Sequence, residues 1–192
     1  MRMHGSHAFV LTFVCLLCGV NSITYVSREH ICTQYYASGD NYDLNELPAQ
    51  MYGVYFWPPS QRQRDSCEII NFKNLTQEDV ALEINKCSNL TVPIQTTVMK
   101  ATYINSAGKT ANLLYFGETE VKDMHRGCDK KIAKYIFKKV NDNYILGINC
   151  SAGGRGILYS KFLPSSSEVQ TVVESIEIMS GREGSPDCSL RR

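Results

Sequence analysis

The sequence predicts an all-β domain, a sandwich or barrel of eight short strands followed by one C-terminal helix. Two observations carry that class. Short runs rich in β-branched and aromatic residues recur between Met51 and Phe162, most of them separated by turn residues, which is the pattern of antiparallel strands. No helix-length periodicity reads between those runs, so the βαβ units of a parallel sheet are not expected.

The chain opens on a different kind of segment. Met1 to His7 carries one charge, Arg2, and Ala8 to Val20 (AFVLTFVCLLCGV) is apolar apart from Thr12, ending at the small residues of Val20-Asn21-Ser22. This reads as a secretory signal peptide over residues 1–22. It stops short of the roughly 20 apolar residues of a membrane helix, and no later run reaches that length. Residues 23–192 then make a single domain, on a prior of about 150 residues per domain.

Ile23 to Gln50 lacks period and reads as an N-terminal arm. The strand candidates follow: Met51–Trp57, Cys67–Phe72, Val80–Ile84, Thr96–Ile104, Ala111–Gly117, Ile132–Val140, Tyr144–Asn149 and Gly156–Phe162. Pro58-Pro59, Lys73-Asn74, Ser106-Ala107-Gly108, Asn141-Asp142-Asn143 and Ala152-Gly153-Gly154 supply turns. The helix, about residues 165–179, is announced by a capping box, Ser165-Ser-Ser-Glu168, after Pro164. Val169, Val172, Val173, Ile176 and Met179 then fall on one face, which must pack on the outside of the sheet. Gly181 and Gly184-Ser-Pro186 end it, and residues 180–192 form a tail closing on Arg191-Arg192, a solvated terminus.

Composition narrows the function. The chain has 20 Lys+Arg against 19 Asp+Glu, and Arg2 leaves with the leader, so no basic excess remains to address nucleic acid. Of eight cysteines, Cys15 and Cys18 lie in the leader. The others, Cys32, Cys67, Cys87, Cys128, Cys150 and Cys188, are even in number and widely spread, which in an exported chain argues for three disulfides over a zinc site. Only His30 and His125 remain for a histidine-based metal site, and none is expected. Asn74-Leu-Thr76, Asn89-Leu-Thr91 and Asn149-Cys-Ser151 are N-glycosylation sequons. Asn149 is the weakest acceptor, because Cys150 beside it is engaged.

The order of arm, eight strands and capped helix resembles that of the lipocalins, up-and-down barrels with a ligand cavity. The run Asn141-Asp-Asn-Tyr-Ile-Leu-Gly-Ile-Asn-Cys150 is similar to their Asp/Asn turn and Tyr-initiated strand ending in cysteine. Ile157-Leu-Tyr-Ser-Lys161 with Pro164-Ser-Ser-Ser-Glu168 is similar to their last strand and helix start, and Leu47-Pro-Ala-Gln-Met-Tyr52 stands in the place of their G-x-W-Y motif. The insect bilin-binding branch is the nearest in pattern. Gly and Trp of that motif fall on Ala49 and Met51, and the basic residue that covers the Trp is Lys161 rather than Arg. Arg stacks on an aromatic face better than Lys, so the two losses agree, and a flexible Met can plug the barrel floor.

The resemblance implies an eight-stranded antiparallel up-and-down barrel with one helix packed outside. It also implies the pairings Cys32–Cys150 and Cys67–Cys188, which leave Cys87–Cys128. Alternation anchored on the family pattern turns Tyr55, Trp57, Met99, Tyr103, Leu113, Tyr115, Ile157 and Tyr159 inward as a ligand lining. That lining suits a flat aromatic or conjugated molecule. On the strand Ile132–Val140 parity stays open: Lys134 and Lys138 face water because an unpaired buried ammonium is costly, or face inward by family register.

The implied function is a secreted carrier of one small hydrophobic ligand of the bilin, retinoid, fatty acid or odorant class. The alternative is a secreted protein-binding module or inhibitor acting through its loops, with the basic loop Pro58 to Ser66 as its address. No enzyme and no cofactor are expected. Gly153-Gly154-Arg155-Gly156 is a hairpin loop rather than a phosphate cradle, paired cysteines leave no thiol nucleophile, and neither histidine stands in a catalytic motif.

Overall fold

The computed structural model describes residues 32–33, 41–60, 64–87, 90–93, 96–105 and 107–191. Eight antiparallel strands close into a barrel in sequence order. They are β1 (Gln50–Trp57), β2 (Glu68–Asn74), β3 (Val98–Ile104), β4 (Thr110–Phe116), β5 (Val121–Arg126), β6 (Ile132–Lys139), β7 (Tyr144–Asn149) and β8 (Arg155–Ser160). Closure runs through β1 and β8, with Tyr52 opposite Ser160 and Phe56 opposite Ile157. The signal-peptide reading at 1–22, His30, Asn89, residues 61–63 of the basic loop and Arg192 lie outside the described residues.

The number of strands agrees with the sequence reading, but the set does not. Val80–Ile84 is no strand: it belongs to helix α1 (Gln77–Lys86). Thr76 caps that helix and Asp79 reaches back to the cap, while Glu78 and Asp79 in the first turn and Lys86 in the last suit the helix dipole. The eighth strand is β5, whose residues (VKDMHR) lack apolar alternation. The C-terminal helix α2 spans Ser166–Glu174 with the expected Ser165/Glu168 box, followed by a 3₁₀ turn at Glu177–Met179.

Side chains alternate across the wall into separate cores. The interior core gathers Met51, Ile70, Phe72, Met99, Tyr115, Met124, Tyr135, Phe137, Ile145 and Tyr159, with Tyr42, Leu44 and Leu47 beneath. Leu44 belongs to a 3₁₀ turn (Leu44–Glu46) capped by Asp43, and Met51 is 0% exposed, so Met51 does plug the floor; Lys161 is exposed. The outer core packs Val54, Trp57, Ile136, Tyr144, Leu146, Ile148 and Leu158 against Val169, Ile176 and Met179. A third cluster sets Val98, Leu114 and Phe116 beneath Val80 and Ile84 of α1.

Three disulfides tie these layers together: Cys32–Cys150, Cys67–Cys188 and Cys87–Cys128. Cys87 is the C-cap residue of α1. Cys188 holds the tail, which also bridges to the sheet at Phe56–Ser185 and to α2 at Ser165–Arg191. Among the described residues no helix is long and apolar enough to cross a membrane.

Candidate ligand-binding site at the barrel mouth

The inward residues form two levels. Lower down, aromatic rings fill the barrel: Tyr115 lies 4.9 Å from both Tyr135 and Phe137, and Phe72 lies 6.0 Å from Tyr159, centroid to centroid. These edge-on contacts are the geometry that aromatic quadrupoles favour. The hydroxyls of Tyr135 and Tyr159 are 3.0 Å apart, which gives each of these buried groups a partner. Burial pushes the Tyr135 hydroxyl up to about 12 and those of Tyr115 and Tyr159 well above the ordinary phenol value, so all three stay neutral hydrogen-bonding groups.

At the floor end, Lys122 points inward from β5 and is 2% exposed. Its Nζ donates to Asn41 Oδ1 at 2.9 Å. Burial lowers its pKa, opposed by the carboxylates of Asp43, Glu120 and Glu118.

Above the aromatic layer the barrel opens into a cleft of about 830 Å³. Phe56, Tyr103 and Ile157 supply its apolar wall, and Arg64, Glu68, Arg126, Arg155 and Asp187 its charges. Arg64 Nη1 lies 2.9 Å from Glu68, and its Nε lies 3.8 Å from Asp187. The volume lies in the range of small-molecule pockets, about 300–1,000 Å³.

The expected lining is thus divided. Met99, Tyr115 and Tyr159 belong to the packed aromatic level, Leu113 packs against it, and Tyr103 and Ile157 reach the cleft. Tyr55 and Trp57 do not point inward. A β-bulge between Gly53 and Tyr55, where β1 meets β8, inserts Val54, and one extra residue reverses the parity of everything after it. Tyr55 and Trp57 consequently join the outer core, with Trp57 2% exposed yet bordering the cleft at its edge. Phe56 takes the inward place.

The open parity on β6 resolves the same way for both lysines. Tyr135 and Phe137 belong to the interior and Ile136 to the outer core, so Lys134 and Lys138 share the outward face. Lys134 pairs there with Asp123 of β5. Of the sequons, Asn74 is exposed at the end of β2, its Nδ2 donating to Asn45. Asn149 accepts a hydrogen bond from Ala152 N at 3.0 Å, capping the 3₁₀ turn Cys150–Ala152.

Arg126 and Arg155 are among the lining residues that sequence reasoning missed, together with Phe56, Glu68 and Asp187. Arg126 ends the strand that went unread, and Arg155 sits in what reads as a hairpin loop. No protein-family model matches the chain, and neither does any curated protein.

Proposed function

We propose that the chain is a lipocalin-type secreted carrier that holds one small, predominantly apolar molecule at the mouth of its barrel. The observation that carries this reading is the cleft of about 830 Å³ sunk into one end of a closed barrel, with Phe56, Tyr103 and Ile157 turned toward it. Three disulfides suit an oxidising compartment. The ligand rests on the aromatic level instead of threading through it, because Tyr115, Tyr135, Phe137 and Tyr159 already fill the space below. A compact, flat molecule suits such a seat better than a long extended chain.

The test is displacement of a neutral polarity-sensitive dye by a panel of bilins, retinoids, fatty acids and odorants. One equivalent per chain is expected, with binding reduced by Tyr103→Trp or Ile157→Trp, which fill the cleft. If no ligand displaces the dye and the protein instead captures a protein partner through its rim loops, the inhibitor reading replaces this one.

A further inference from the structure

The charges around the mouth do not cancel. Glu68 and Asp187 both face Arg64. Arg126 and Arg155 have no ion-pair or side-chain hydrogen-bond partner among the described residues, although both line the cleft. Their placement follows from strand parity. Arg126 continues the inward series Lys122, Met124 on β5, and Arg155 begins the inward series Ile157, Tyr159 on β8. With β6 and β7 between them, they approach the opening from separate parts of the rim.

We propose that the ligand is an amphipathic anion, its apolar body against Phe56, Tyr103 and Ile157 and its carboxylate or sulfonate between Arg126 and Arg155. This rests on the carrier reading and specifies its ligand. Two cations that lack partners among the described residues and line one cleft offer nothing to a neutral guest, whereas an anion between them pairs with both. Guanidinium presents parallel N–H donors that match a carboxylate, and low-dielectric walls focus the field of the rim charges into the cleft. Because both arginines are exposed, water screens each contact, and the gain is roughly tenfold in affinity rather than thousands.

A matched pair of dyes tests this: anilinonaphthalene sulfonate and its uncharged parent, phenylnaphthylamine. The sulfonate is expected to bind about tenfold more tightly, with the advantage shrinking as salt rises. Arg126→Gln and Arg155→Gln should each remove much of the preference and the double variant all of it, read in each variant as the ratio of sulfonate to neutral-parent affinity. Arg→Lys at either position should restore part. Saturable binding of both dyes with equal affinity, or a preference that survives in the double variant, overturns the anionic ligand and leaves the carrier reading standing. If neither dye binds, the carrier reading falls and this inference with it.

Discussion

The hydroxyl of Tyr135 meets that of Tyr159 at 3.0 Å, directly over Gly147, where an added Cβ would lie 2.4 Å from the Tyr135 oxygen and 2.7 Å from the Tyr159 ring. The missing side chain on β7 is what lets the two phenols meet in the middle of the barrel.

Gly147→Ala should therefore destabilise the fold by about 2 to 3 kcal/mol, as overpacking of a filled core does. The lower midpoint of a urea titration would show it. Tyr135→Phe, which removes one hydroxyl and relieves the closest contact, should recover part of that loss when combined with Gly147→Ala.

Alkaline pH should unfold the barrel through the same residues. The Tyr135 value is raised by burial from 10.0 to about 12, so its stabilising effect is complete below pH 10 and is lost as pH rises from 10 through 12. That contribution is about 2 to 3 kcal/mol. Absorbance titration of phenolate should show exposed tyrosines ionising first and the interior ones only together with loss of near-ultraviolet circular dichroism. Interior ionisation near pH 10 in a still-folded protein would contradict the packed aromatic level.

Trp57 should report on the outer core. Gly156 leaves room for it beside Met179, since a Cβ there would fall 3.0 Å from Trp57 Cε3 and 2.5 Å from Met179 Cε. Met179→Ala should shift Trp57 emission to the red, cost about 2 to 4 kcal/mol and leave dye affinity in the cleft unchanged. Reading affinity and emission on the same sample separates the two sides of the wall.

The Cys67–Cys188 bond closes a loop with a sequence separation of 121 residues, and the double serine variant should lose about 3 to 5 kcal/mol. Because Ser185 pairs with Phe56 just upstream, releasing Cys188 should also free the tail and admit a collisional quencher to Trp57. Non-reducing peptide maps should return Cys67 with Cys188, and a Cys32–Cys188 peptide would refute that link.

Glycan occupancy should differ between two acceptors. Asn74 is exposed at a strand end, whereas the Asn149 side chain is spent on Ala152 N beside a disulfide. Site-resolved mass spectrometry of eukaryotic material should find Asn74 occupied and Asn149 mostly bare. High occupancy at Asn149 would mean that the cap does not hold the side chain.

The barrel and the C-terminal helix were legible because their signals are local: alternation on β3, β4 and β8, and a capping box at Ser165. Cysteine pairing came from the family resemblance. β5 was illegible because its inner face holds Lys122, bonded to Asn41, and its outer face holds Asp123, paired with Lys134, and His125, stacked on Phe116. Lys122 and Asp123 are tolerated through polar partners and His125 through ring stacking, none of which alternation foresees. Helix α1 carried a readable sign in Thr76 and Asp79, overridden by the β-branched Val80 and Ile84. Tyr55 and Trp57 were misplaced because a bulge is a property of two strands together and leaves no mark on one.

That bulge makes sidedness in β1 depend on the backbone at a single point. Deleting Val54 would leave Tyr55, Phe56 and Trp57 opposite Leu158, Ile157 and Gly156 and so keep Phe56 inward, whereas drawing Val54 into regular pairing without any deletion would turn Tyr55 and Trp57 to the well and Phe56 out toward α2. A straightening of the bulge at unchanged length would re-line the seat with an indole while the remaining seven strands keep their sequence. Changes that straighten β1 at this position are thus a route to a different cleft lining that substitution of the residues already facing inward does not offer.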